Sequence, residues 1–191
     1  GRGVVEPALR KDLALEQIHW STTRTGSWPD LKIFAFDHRA QLEDLPGATA
    51  EKIARFKELC LDATLTVAGG RPGFGLLCDS RLGRRALYRA AEQGLWLGRP
   101  VEWPGSRPLM LEPEIGADFG GLGEWPLAHV VKVLAFCHPD DAPDLRDAQE
   151  ETLLRLFASA RRNRLEFLLE IIPSKVGPVG AICVGSISAL V

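Results

Sequence analysis

The sequence predicts an α/β fold and, within that class, an incomplete (β/α)₈ TIM barrel. Short apolar runs alternate with amphipathic helical patterns four times along the chain. The apolar runs are continuous, which is typical of parallel strands buried on both faces. No GxGxxG or P-loop pattern follows a predicted strand, and this favours the barrel over a doubly wound nucleotide-binding sheet. The 191 residues fall short of the chain length of a complete barrel, which is about 250 residues.

Hydrophobic periodicity places the individual elements. The predicted strands are Lys32–Asp37, Phe74–Cys78, Leu95–Gly98, Val130–Phe136 and Leu165–Ile172. The predicted helices are Thr49–Ala68, Gly83–Gln93 and Leu145–Arg161. A Pro- and Gly-rich passage, Arg99–Pro126, is long for a plain connection and is therefore a candidate functional loop. We assign residues 1–30 to a linker or capping segment and residues 31–191 to the partial barrel domain.

The composition indicates an ordinary globular protein. The net charge of −2 gives no basic excess for binding nucleic acid, and no apolar run reaches the ~18 residues that a membrane span needs. Four cysteines (Cys60, Cys78, Cys137 and Cys183) lie far apart without a CxxC pair. We interpret them as free thiols in a reducing cytosol, so we expect a cytoplasmic protein.

Three strands carry a charged residue that is costly to bury alone. Asp37 ends the first strand, Lys132 lies inside the fourth and Glu170 lies inside the fifth. Inward-pointing residues near the C-terminal ends of barrel strands converge on one cleft, where opposite charges shift each other's pKa. A buried structural ion pair and solvent-exposed strand ends are the alternatives to a functional site.

Two motifs resemble those of class I (Schiff-base) aldolases of the tagatose-bisphosphate type. Phe34–Arg39 (FAFDHR) is similar to their Asp-Gln-Arg or Asp-His-Arg opening, and Gly75–Gly83 (GLLCDSRLG) is similar to their second-strand motif. Lys132 and Glu170 fall at intervals similar to those of the family's fourth-strand Lys and fifth-strand Glu.

A closer resemblance is to the domain fused behind a sugar kinase in bacterial inositol catabolism. It rests on Leu95–Glu102, Pro104–Leu109, Phe136–Asp141 and Leu169–Pro173, and it extends over residues 30–178. The resemblance implies cleavage of 2-deoxy-5-keto-gluconate 6-phosphate to dihydroxyacetone phosphate and malonate semialdehyde, without a cofactor. It also implies packing against a kinase domain or formation of a homo-oligomer, either of which would cover open strand edges.

The resemblance also implies roles for individual residues. A lysine amine forms an iminium with the substrate ketone, and the iminium accepts electrons as the carbon–carbon bond breaks. Lys132 would be a neighbouring cation, Glu170 the proton shuttle and Asp37 the group that orients a hydroxyl. The substrate-binding candidates lie just past strand ends or in the long loop: His38, Arg39, Asp79, Arg99 and Arg107. Surface charge is the alternative for the arginines, which suit bidentate capture of phosphate or carboxylate.

The Schiff-base lysine of that family is the main departure, because no lysine stands in its expected context. Lys175 falls in the loop after the fifth strand, and Ser186 stands where the family's last strand carries Arg. A missing stretch, a truncated chain and a lost lysine are three explanations. If the lysine is lost, the chain is a binding scaffold or an inactive enzyme. The alternative to the aldolase is therefore a non-catalytic sugar-phosphate-binding or interaction domain that serves the kinase.

A metal-dependent aldolase is a third possibility, but the sequence offers little support for a metal site. His138 is followed by Asp140 and Asp141, and no second histidine has a suitable spacing. A turn that leads into the next helix explains these acidic residues better. We therefore expect no metal.

Overall fold

The computed structural model describes residues 30–173, which form one parallel β-sheet and its helices. The strands are β1 Lys32–Ala35, β2 Phe74–Leu77, β3 Trp96–Pro100, β4 His129–Phe136 and β5 Glu166–Ile172. The helices are α1 Ala40–Glu43, α2 Ala50–Ala68, α3 Arg84–Ala91 and α4 Pro143–Arg162. Two 3₁₀ turns, Pro113–Ile115 and Gly120–Glu124, lie between β3 and β4.

The strand order corrects the predicted architecture. The five strands follow one another as β1-β2-β3-β4-β5, and every neighbouring pair is parallel. The α/β class is confirmed, and the order never reverses as it would in a doubly wound sheet. The prediction of an eight-stranded TIM barrel is wrong: five strands and four helices are described, and they form an open half-barrel. Closing a barrel requires every strand to have two neighbours, whereas β1 and β5 each have one here.

Strand β1 differs from prediction in its burial. The sequence predicts a buried strand, but all four residues of β1 are exposed, with Ile33 and Phe34 at 40% and 47%. The reason is its position at the edge of the described sheet: among the strands, α2 packs mainly on β2, so the described helices leave the side chains of β1 largely uncovered. Burial begins immediately after β1, at Phe36 and Asp37.

Helix α2 follows its prediction at both ends. The Oγ1 of Thr49 accepts a hydrogen bond from the backbone N–H of Lys52 at 3.2 Å, as expected of an N-cap residue. Gly69 ends the helix with a φ of 55°, a left-handed conformation that favours glycine.

Side chains alternate along β4 between the face of the sheet that packs against α4 and the opposite face, and both faces of this strand are largely buried. Val131 and Val133 pack into a core cluster with Leu156 and Ala160 of α4. Since successive strand residues point to opposite faces, Lys132 lies on the face away from this helix. The long passage after β3 also enters the core, because Ile115, Leu122 and Trp125 pack in the same cluster.

Lys57 on α2 forms a buried ion pair with Asp79. Its side chain is fully buried, and its Nζ donates to the Asp79 carboxylate and, at 2.8 Å, to the carbonyl of His38. We expect Lys57→Met to lower the free energy of unfolding by about 3–5 kcal/mol, because it leaves the Asp79 carboxylate buried without its cation. Urea unfolding measures the change. Lys52→Met on the exposed side of α2 is the control, and equal midpoints for the two variants would contradict the prediction.

The prediction that the cysteines are free thiols is confirmed for the three that lie among the described residues. Cys60, Cys78 and Cys137 are free thiols, and burial raises the pKa of each. Cys183, Lys175, Ser186 and the predicted segment 1–29 lie outside the described residues. Within residues 30–173, no helix is long and apolar enough to cross a membrane.

Candidate functional site

A charged cluster on the face of the sheet opposite α4 is centred on Lys132. The Nζ of Lys132 lies 3.2 Å from Oδ2 of Asp37 and 3.2 Å from Oε2 of Glu170. It also lies 3.8 Å from Oε1 of Glu102. We call these four residues the lysine cluster. The three residues that the sequence predicted to share a site are therefore brought together, and their catalytic roles stay predictions.

The parallel register explains why these side chains meet. Leu134 pairs with Glu170, so Glu170 lies on the same face as Lys132 and two residues further toward the C-terminal edge of the sheet. Asp37 follows β1 and Glu102 follows β3, at that same edge. The long side chain of Lys132 extends toward carboxylates from three other segments, as the C-terminal ends of parallel strands allow.

Burial and opposite charge shift the pKa values of Lys132 and Asp37 in opposite directions, and the effect of charge is the larger. Burial on its own would lower the pKa of Lys132, but the carboxylates of Glu102, Asp37 and Glu170 raise it above its ordinary value. Burial would likewise raise the pKa of Asp37, and Lys132, with smaller contributions from Arg39 and His38, lowers it. At neutral pH the cluster therefore contains an ammonium and an ionised Asp37.

Arg39 joins this cluster through Glu102. Its Nη2 lies 2.5 Å from Oε1 of Glu102, and its Nη1 lies 2.9 Å from Oε1 of Glu112 and 2.8 Å from the carbonyl of Glu102. The side chain is 4% exposed. Arg39 thus ties the passage after β3 to the turn after β1. Its predicted role in binding substrate would require these contacts to rearrange, and that role stays a prediction.

Asp79 and His38 lie beside the cluster and make other contacts. The carboxylate of Asp79 pairs with Lys57 and accepts the N–H of Leu82 at 2.6 Å, so it fixes α2 against the turn after β2. The side chain of His38 is exposed, while its backbone carbonyl is bonded to Lys57.

The structure places the other two arginines away from Lys132. Arg99 lies on the helix-covered face of β3, where its guanidinium is 3.7 Å from the centre of the Trp125 ring. Its Nη2 is 3.8 Å from Oε1 of Glu114. Arg107 in the long loop pairs with Asp141 after β4. Both arginines therefore contribute to holding loops together.

Sequence reasoning missed Glu102 and Glu112 as members of this region. Both side chains are 6% exposed although they belong to a passage predicted to be a loop. Glu102 stands two residues past the end of β3 just as Asp37 stands two residues past the end of β1, but this signal becomes visible only because β3 ends at Pro100 and not at the predicted Gly98. Glu112 had no comparable signal.

The predicted turn around His138 is confirmed. The N–H of His138 donates to Oδ2 of Asp141 at 2.9 Å, and the N–H of Asp140 donates to Nδ1 of His138 at 3.1 Å. Within the described part of the chain, no three His, Cys, Asp or Glu side chains are grouped so as to hold a metal ion.

The sequence matches one protein-family model. A family model described as an uncharacterized protein conserved in bacteria (DUF2090) matches residues 1–188. The chain belongs to the DUF2090 family. The match includes every member of the lysine cluster, and no curated protein matches the chain. Neither comparison assigns a function to this DUF2090 chain.

Proposed function

We propose that the chain is a carbon–carbon lyase of the class I aldolase type. The single observation that carries the proposal is the ammonium of Lys132 held among three carboxylates at the C-terminal edge of the sheet. A buried cation can stabilise developing negative charge, and a carboxylate beside it can transfer protons at the same carbon centre.

The proposed substrate is 2-deoxy-5-keto-gluconate 6-phosphate, as the resemblance to the domain of inositol-catabolism proteins implies. A hydroxyl of the bound iminium loses its proton, and the adjacent carbon–carbon bond breaks to release malonate semialdehyde. The electron pair of that bond enters an enamine. A proton then returns to the carbon, and water releases dihydroxyacetone phosphate.

The cluster geometry distributes the roles among these residues. Glu170 is 21% exposed, against 11% for Asp37 and 6% for Glu102, so it is the best placed of the three to exchange protons with a substrate. Asp37 stays ionised and orients the hydroxyl. Lys132 stays protonated, because the carboxylates raise its pKa, and therefore supplies positive charge rather than the nucleophile.

A second candidate is a non-catalytic sugar-phosphate-binding or interaction domain attached to a carbohydrate kinase. One observation favours a non-catalytic role: Lys57 and Lys132, the two buried lysines of the described residues, are both held in ion pairs with carboxylates. Since Arg39, Arg99 and Arg107 also pair with carboxylates, the interaction function is the better supported half of this alternative. In this alternative, the exposed edge of β1 would pack against the kinase domain or a second copy of the chain.

Borohydride trapping separates the two candidates. The whole chain is incubated with 2-deoxy-5-keto-gluconate 6-phosphate and sodium borohydride, and its intact mass is measured. The aldolase proposal expects a stable substrate-derived adduct that maps to a lysine other than Lys132. Turnover without an adduct would reject the Schiff-base mechanism, and a chelator then tests for a metal-dependent aldolase. Binding of the substrate without turnover and without an adduct would favour the non-catalytic domain.

A further inference from the structure

We propose that Glu102 is a positioning residue, which holds the ammonium of Lys132 in place and links it to Arg39 without touching the substrate. The inference rests on the proposed function, because it assigns a role within the same site. Its geometry, however, can be tested without any turnover.

Both carboxylate oxygens of Glu102 are engaged by the protein. Oε2 accepts the backbone N–H of Leu134 at 3.0 Å. Oε1 lies 2.5 Å from Nη2 of Arg39 and 3.8 Å from Nζ of Lys132. With its side chain 6% exposed and contacts to two separate cations, Glu102 has little freedom to move and little surface for a substrate.

The bond to Leu134 explains how Glu102 is aligned with β4. The N–H of Val101 donates to the carbonyl of Lys132, the last such bond between β3 and β4. The carbonyl of Val101 then turns away and accepts the N–H of Glu112 at 2.8 Å. Where the backbone of β3 leaves the sheet, the side chain of Glu102 therefore accepts the N–H of Leu134 in place of a backbone carbonyl. This hydrogen bond holds the Glu102 carboxylate beside Lys132.

The negative charge of Glu102 affects the pKa of Lys132. The groups that face its ammonium are the carboxylates of Asp37, Glu170 and Glu102, and Arg39 is the cation that shares Glu102. Removing the charge of Glu102 leaves two buried cations with less compensation. We therefore expect Glu102→Gln to lower the pKa of Lys132 by about one unit, which gives about tenfold more neutral amine at a given pH.

Carbamylation by cyanate measures the neutral amine directly. The probe is potassium cyanate at pH 8, with modification of each lysine followed by peptide mass spectrometry. Glu112→Gln is the matched control, because Glu112 also pairs with Arg39 and is equally buried but makes no ion pair with Lys132. We expect Lys132 to react about tenfold faster in Glu102→Gln, as a one-unit change in pKa requires, and less than about twofold faster in Glu112→Gln.

Buried Lys57 serves as the internal reference for loosening of the fold. If Lys57 accelerates as much as Lys132, or if Glu102→Gln leaves Lys132 no more reactive than Glu112→Gln does, the inference is overturned. With an active wild type, we also expect Glu102→Gln to lower kcat more than it changes KM, and Glu102→Asp to restore part of kcat. An inactive wild type would instead reject the proposed function, and the carbamylation result would still decide the role of Glu102.

Discussion

Lys132→Met is expected to lower kcat for cleavage of 2-deoxy-5-keto-gluconate 6-phosphate by about a thousandfold, near the upper end of what one buried electrostatic group contributes. The substitution removes the ammonium and leaves Asp37, Glu102 and Glu170 as three carboxylates without their shared cation. Formation of dihydroxyacetone phosphate, coupled to oxidation of NADH, measures the rate. Lys52→Met, at an exposed lysine of α2 whose ammonium donates to the carbonyl of Gly47 and not to a cluster carboxylate, should keep the wild-type kcat.

We also expect the stability deficit of Lys132→Met to depend on pH. Lys132 lowers the pKa of Asp37 in the folded state, so this pair stabilises the fold above the pKa of an unfolded aspartate, about 3.9, and loses that stabilisation as the pH falls. The deficit of Lys132→Met in urea unfolding should therefore be largest near pH 7 and shrink below pH 4. A deficit that grows on acidification, or a kcat above a tenth of the wild-type value, would contradict this assignment of Lys132.

Glu170→Gln is expected to lower kcat by about 10²–10⁴-fold, the usual contribution of a general acid–base group. The amide has nearly the same size and stays in place on β5, but it cannot carry a proton. The effect should also appear with dihydroxyacetone phosphate alone. In D₂O the wild type should exchange a proton of the hydroxymethyl carbon through the enamine, and the variant should exchange it far more slowly.

Glu166→Gln is the matched control for this experiment. Glu166 lies on the same strand and face as Glu170 but at the beginning of β5, away from the cluster. Its substitution should leave both the exchange rate and kcat within about threefold of wild type. Equal exchange rates for Glu170→Gln and wild type would show that another group moves the proton.

Much of the local structure could be predicted because it depends on neighbouring residues. Thr49 marks the start of α2 because its side-chain hydroxyl accepts the N–H of Lys52, and Gly69 marks the end by its left-handed φ; both signals act within one helical turn. The continuous apolar run around Lys132 predicts β4, and a lysine inside such a run must find carboxylates. The pairing of Lys132 with Asp37 and Glu170 follows from that requirement and from parallel strands ending at one edge.

What the sequence could not supply is information about long-range closure. Each βα unit has the same pattern whether a sheet closes or stays open, so the run Lys32–Ala35 looked like an interior strand although it lies at an edge. The ion pair between Arg39 and Glu102 was not predicted for a related reason. Their 63-residue separation hides a contact that forms only when the passage after β3 folds back over the turn after β1.

The most direct test of the proposed function is product formation by the purified whole chain. Incubation with 2-deoxy-5-keto-gluconate 6-phosphate should yield dihydroxyacetone phosphate and malonate semialdehyde in equal amounts, at a rate that Lys132→Met reduces to the background. If the wild type forms neither product faster than that variant does, the lysine cluster is not the centre of an aldolase.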